Sequence, residues 1–275
     1  MSKSDEETIK NIRKSIFITG YKGGMAHLAS GFSCLEMLYA FYLKGLLHYD
    51  KNDPRWAGRD RFILSKGHAG LALYAVLKEA GLISEKMFSS YLMDGAQIGG
   101  EPCMRDCEWI EATTGSLGHG LSMGLGMAMA LKADQSNAKV YVMLGDGECE
   151  EGSIWETAMT ASAMKLDNLV AIIDCNRIQK MDFVDKTIGT PDWKAKWESF
   201  GWQVETADGH DIDDFARAIE GIKRSGKPTV IIANTTKGKG VSIMEDNPQW
   251  HFRLPSKKEL KVFMDELGIS EAELE

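Results

Sequence analysis

The sequence predicts an α/β fold, a mostly parallel sheet with helices on both faces. Two observations carry that prediction. Val140 to Leu144 and Leu169 to Ile173 are short, continuously apolar runs joined by one helix-length segment. That is the pattern of a βαβ unit, whose crossover makes its strands parallel. Trp202 to Thr206 and Thr229 to Ala233 read as further strands around a helix from about Ile212 to Lys223. No repeat, low-complexity tract or linker divides the chain, so residues 1–275 are expected to form one domain.

The other elements follow in order. Ser4 and Glu7 have capping-box spacing, so a first helix is expected from Ser4, with Ile9, Ile12 and Ile16 along one face. Residues 20 to 31 (GYKGGMAHLASG) are rich in glycine, and a second helix is expected from Ser33 to Leu47. After a charged loop around Pro54, the apolar Phe62 to Leu64 runs into SKGHAG and a helix through Lys78. Residues 95 to 120 lack any sustained period and form a long irregular stretch, which in compact domains is usually functional or mobile. The small-residue helix LSMGLGMAMALKA follows, and its methionines from Met123 to Met129 are expected in the core. Ser153 and Glu156 are expected to cap the helix between the two central strands, through about Lys165.

Composition narrows the function. The chain is 44 % hydrophobic and 26 % charged, as in globular proteins with a full core. Forty acidic against 32 basic residues give a net charge of −8, which argues against nucleic acid or an anionic membrane as partner. No apolar run reaches spanning length, and MSKSDEETIK lacks the apolar core of a signal peptide, so the expected location is cytoplasmic. Five scattered cysteines read as reduced thiols; Cys103 and Cys107 could suggest a metal pair, but no second pair with zinc spacing follows.

The chemistry concentrates where strands end, because ligands of open parallel sheets bind outside the carboxyl ends of strands. Asp146 lies just past one such end and Asn176 just past its neighbour. Both offer oxygen to a cation such as Mg2+, which takes further oxygens from a phosphate. Gly145 and Gly147 let backbone approach an anion closely. Taken singly, Gly-Asp-Gly is a plain turn and Asn176 a cap. Linked by one βαβ unit, the pair points to a metal–diphosphate site.

The segment GDGECEEGSIWETAMTASAMKLDNLVAIIDCNRIQ resembles the thiamine-diphosphate motif of the transketolase family, which runs from GDG to an Asn about thirty residues later. HLASGFSCLEML, GRDRFILSKGHAGLALY, ATTGSLGHGLSMGLGMAMA, DGHD, TKGKGVSIMED and WH match further family blocks in the same order, over nearly the whole chain. The resemblance implies the thiamine-diphosphate-binding fold, with Asp146, Asn176 and the Ile178 carbonyl coordinating Mg2+. It implies cofactor contacts from His68, Gly115, Ser116, Leu117, Gly145, Gly147, Glu148, Lys237 and His251. It places His27, Ser30 and His251 at the donor sugar, with His27, His68 and His251 as acid-base or hydrogen-bonding groups. Lys239 joins Lys237 in a small basic patch, and Glu151 matches an acidic residue near a subunit contact. His48 and His210 read as structural or exposed.

Single-chain family members carry a diphosphate-binding, a pyrimidine-binding and a C-terminal domain, and this chain resembles the first. The resemblance therefore implies the N-terminal subunit of a split transketolase, inactive alone. Its partner would supply the other two domains, the glutamate that activates the cofactor and most of the grip on the sugar phosphate, in an α2β2 assembly. Three departures stand out. Gly100-Glu101-Pro102 replaces the family's Gly-His-Pro, putting a carboxylate at the donor's hydroxyl end; His119 stands where glutamine is commoner; and Phe252-Arg253 replaces the usual glycine after His251. Glu101 keeps open a non-standard, for example sulfonated, ketose as donor. A nicotinamide dehydrogenase is a further reading, from the GHGLSMG run, and so is a non-catalytic protein that has kept the cofactor fold. The dinucleotide fingerprint should follow an apolar strand, and EATTG is a poor one.

Overall fold

The structure, a computed structural model, describes residues 1–180, 182–189 and 192–275. Helices α1 (Lys3–Lys22) and α2 (Leu28–Leu43) precede strand β1 (Arg61–Leu64), α3 (Gly70–Glu79), the short α4 (Glu85–Ser89) and α5 (His119–Ala133). Then come β2 (Val140–Gly145), α6 (Gly152–Ala163), β3 (Leu169–Cys175), the short α7 (Val184–Thr187) and α8 (Trp193–Ser199). The chain ends with β4 (Gln203–Asp208), α9 (Ile212–Glu220), β5 (Thr229–Asn234), α10 (Lys257–Leu267) and α11 (Glu271–Leu274).

The five strands form one sheet in the order β1-β2-β3-β5-β4, every pair parallel. The continuous apolar runs of β2, β3 and β5 follow from burial on both faces. Tyr141, Met143, Val170, Ile172 and Ile231 pack toward α1, α2, α3, α9 and α10. Val142, Leu144, Ala171, Ile173 and Val230 face α5, α6 and α8 on the other side. Helices thus cover both faces, as the sequence predicts. No helix among the described residues is long and apolar enough to cross a membrane.

Several boundaries differ from expectation, each for a physical reason. Helix α1 is capped by Ser2 with Asp5, not by Ser4 with Glu7: Ser2 has extended backbone and accepts from the Asp5 amide at 3.2 Å. Asp5 is itself held by the Tyr39 hydroxyl and Lys44. Helix α2 begins five residues before Ser33 because its first two turns are buried all round, which erases the periodicity by which such a start is read. Ser153 caps nothing; its hydroxyl donates to the Gly118 carbonyl at 3.0 Å, tying α6 to the irregular stretch, while Glu151 takes the N-cap position. The methionine helix is only partly core: Leu121 and Ala128 are buried, but Met129 is exposed.

Helix α5 approaches the sheet closely through Gly124, where a Cβ would lie 2.5 Å from Val142 Cγ2. Replacing that glycine by alanine would gain about 1 kcal/mol of helix propensity, but overpacking against a stiff β-branched neighbour costs about 1–3 kcal/mol. Gly124→Ala is therefore expected to lower the urea midpoint with an unchanged slope. An unchanged or raised midpoint would show that the helix can shift away from the sheet.

Candidate active site

The carboxyl ends of β2, β3 and β5 form the floor of a cavity of about 600 Å3. Asp146 follows β2 and is buried. One carboxylate oxygen accepts from the Gly147 amide at 2.8 Å and the other from the Arg177 amide. Burial, reinforced by the nearby Asp174 carboxylate, pushes its pKa up to about 6. Asn176 follows β3. Its Nδ2 donates to Ser33 Oγ and Asp174 Oδ2, each at 3.2 Å, and its Oδ1 accepts from the Ile178 amide at 3.1 Å. Lys237, on the loop after β5, donates from Nζ to the Ile178 carbonyl at 2.9 Å.

Beneath this floor lies a buried ion pair that the sequence did not reveal. Lys66 and Asp174 are 1 % and 0 % exposed and bonded to each other. Lys66 also donates to the Ser30 carbonyl at 3.0 Å, and Asp174 accepts from the hydroxyls of Ser33 and Thr235. Burial opposes both charges, but the mutual attraction outweighs it: the lysine pKa lies above its ordinary value and the aspartate's below.

His27, His68 and His251 come together over one side of the cavity, with ring centroids 5.2, 5.4 and 5.8 Å apart. His251 Nδ1 lies 3.2 Å from Lys237 Nζ. Burial first, and then the neighbouring lysines, depress all three: His27 to about 4, His251 to about 3, and His68 well below its usual value. At neutral pH they are uncharged imidazoles, each with one donor and one acceptor nitrogen.

Gly115, Leu117, Gly145, Gly147, Glu148, Ile178 and Ser30 line the same cavity, as does Glu151. Glu148 is an anchor as well as lining: its carboxylate accepts from the Gly118 and Gly145 amides at 2.9 and 3.0 Å and from the Ser65 hydroxyl. Ser116 is exposed and is not among the lining residues, and His119, exposed at the start of α5, is likewise outside it. Glu101 lies in an adjoining recess of about 250 Å3 that shares His27 and Phe252 with the main cavity. Its carboxylate occupies the space a side chain at Gly115 would need, and the φ of +133° there also favours glycine. Phe252 packs against His27 at 4.3 Å, while Arg253 turns away to Glu259 and the Trp250 ring.

Sequence reasoning missed Lys66, Asp174, Gln179, Lys180 and Ile188 here. The signal for Asp174 was present, since a carboxylate ending a buried strand demands a partner; that partner lies 108 residues away. Lys239 is outside the cavity, paired at 3.8 Å with Glu245. His48 is exposed. His210 is structural: Nδ1 bonds Glu36 at 2.9 Å, and Nε2 accepts at 2.8 Å from Thr236, next to Lys237. Cys103 and Cys107 are free thiols, and among the described residues no group of three or more His, Cys, Asp or Glu side chains could hold a metal.

Residues 4–274 match the family model for the thiamine diphosphate binding domain of transketolase. The chain belongs to the transketolase family. It is 39 % identical over 265 residues to one subunit of the apulose-4-phosphate transketolase of Actinobacillus succinogenes, covering 95 % of each chain. It is 40 % identical over 225 residues to a 6-deoxy-6-sulfo-D-fructose transketolase subunit of a Clostridium species, covering 82 % of each. The transketolase structure from Campylobacter jejuni superposes with a TM-score of 0.86 at 26 % identity, over 98 % of this chain but 44 % of that one. The chain thus spans less than half of that transketolase, and 39 % of the human one, to which it is 37 % identical.

Asp146, Asn176 and the Ile178 carbonyl stand together at the strand ends, where a diphosphate and its cation would be held. A carboxylate, an amide oxygen and a main-chain carbonyl make an all-oxygen donor set that suits a hard divalent cation and leaves positions for phosphate oxygens. Lys237 Nζ, already on the Ile178 carbonyl, marks that point as one that attracts positive charge. The residues fit.

The histidine cluster predicts a pH response. A histidine whose pKa is lower in the folded than in the unfolded chain binds fewer protons when folded, so stability rises with pH across the interval between the two values. His27 and His251 therefore withdraw stability as pH falls from about 6.5, to about 4 for His27 and about 3 for His251. Ring-proton NMR should give these low midpoints, and His27→Gln should flatten the acid limb of the stability curve. A His27 midpoint near 6.5 would contradict the cavity's electrostatics.

Proposed function

We propose that the chain is the N-terminal subunit of a thiamine-diphosphate- and Mg2+-dependent transketolase, moving a two-carbon ketol unit from a ketose to an aldose. In this reading residues 1–275 form one diphosphate-binding domain that works only with a partner subunit carrying the pyrimidine-binding and C-terminal domains, in an α2β2 assembly. The supporting observation is the convergence of Asp146, Asn176, Ile178, Lys237 and the three histidines on one cavity. Relatives named as transketolase subunits support the division between two chains.

When bound, thiamine diphosphate supplies the electron sink for cleaving the C2–C3 bond of a ketose. Asp146, Asn176 and the Ile178 carbonyl would hold Mg2+, and Lys237 would face the diphosphate charge. The three histidines serve as acid-base or hydrogen-bonding groups. As neutral imidazoles His27 and His251 can orient substrate hydroxyls, accept a hydroxyl proton or donate to a developing oxyanion. Gly115 and Leu117, which line the cavity, would offer backbone to the cofactor rings.

Glu101 and Phe252 favour a second reading within the first, in which the donor is a non-standard ketose. A carboxylate and an aromatic ring wall the recess beside His27, and the relatives named for apulose 4-phosphate and sulfofructose are consistent with such donors.

Calorimetry tests the cofactor half. Thiamine diphosphate should bind the full chain in a Mg2+-dependent way, and Asp146→Ala should abolish the dependence. Equal binding by wild type and variant would place the cation elsewhere. A donor panel on the assembled enzyme tests the second half: Glu101→His should shift kcat/KM toward xylulose 5-phosphate by about tenfold, the scale of one charged hydrogen bond. An unchanged ranking would remove Glu101 from donor selection.

A further inference from the structure

Asp174 lines none of the cavity, yet four donors converge on its carboxylate. Lys66 Nζ, Ser33 Oγ and Asn176 Nδ2 meet Oδ2, and Thr235 Oγ1 meets Oδ1. The chemistry of these neighbours dictates which way the Asn176 amide faces. A carboxylate accepts only, and the Ser33 hydroxyl has spent its proton on Asp174, so the amide edge toward them must be NH2. On the opposite edge the Ile178 amide donates at 3.1 Å, so that edge must be oxygen. The reverse orientation would set N–H against N–H there and oxygen against oxygen at Asp174.

The same carboxylate neutralises the Lys66 ammonium, which lines the cavity floor and, without a counter-charge, would repel any cation held above it. We propose that Asp174 is a positioning residue that holds the NH2 of Asn176 and the charge of Lys66, so that only the amide oxygen of Asn176 is presented to a divalent cation. The inference rests on the cation site proposed above and adds a residue that touches neither cation nor substrate. It acts as outer-shell partners of metal ligands do, where a substitution typically costs ten- to a hundredfold in metal affinity.

The test uses the full chain with saturating thiamine diphosphate and Mn2+ as the cation probe, free Mn2+ being read by electron paramagnetic resonance. Asp174→Asn should weaken Mn2+ binding by about ten- to a hundredfold. Ser33→Ala leaves the ion pair intact, so it keeps the test decisive if the first variant fails to fold; it should weaken binding about fivefold, one ordinary hydrogen bond. Side-chain NMR adds a readout that a general loss of stability would not move. The two Asn176 NH2 protons should exchange slowly with solvent both before and after the cation is added. Rapid exchange in the wild-type chain, or Mn2+ affinity unchanged in a folded Asp174→Asn, would overturn the proposal. A wild-type chain that takes up no Mn2+ would remove the cation site itself, and this inference with it.

Discussion

The buried pair of Lys66 and Asp174 is the constraint around which the site is arranged. It joins parts of the chain that are far apart in sequence: Ser30 and Ser33 on α2, Lys66 after β1, Asp174 in β3 and Thr235 after β5. Two charges out of water are expensive, and such a pair is tolerated only when its remaining hydrogen-bonding capacity is met. Here every oxygen of Asp174 is engaged. Breaking one partner of a buried pair typically costs about 3–5 kcal/mol, a large share of the roughly 5–15 kcal/mol by which domains are stable. The end of β3 that carries Asn176 is thereby tied to α2, to the loop after β1 and to the loop after β5.

Local charge and overall charge run in opposite directions. The chain carries a net −8, yet Lys66, Lys180 and Lys237 all face the one cavity. Burial first, and then Lys237, depress His27 and His251, and Lys180 and Lys237 add positive charge that suits the cavity to an anion, Lys66 being paired with Asp174. The recess next to it carries a carboxylate and an aromatic wall instead.

Much of this was legible in the sequence, because some features depend on local order alone. Continuous apolar runs fix the central strands, and their ends fix where Asp146 and Asn176 stand. The histidine cluster was legible only through resemblance, since His27, His68 and His251 lie far apart in the chain. Other features depend on partners no local rule can supply. The start of α2 is hidden by burial on every side, and Ser153 spends its hydroxyl on Gly118 rather than on a cap. His210, set aside as structural or exposed, is bonded at both nitrogens and steadies the loop that carries Lys237. Lys66 carried no local signal because its partner is 108 residues downstream.

The most direct measurement of the central claim is two-carbon transfer from a ketose phosphate, assayed with thiamine diphosphate and Mg2+ for this chain alone, for its partner alone and for an equimolar mixture of the two. The half-site account predicts turnover in the mixture only, saturating at one copy of each chain. Turnover by this chain alone would contradict it.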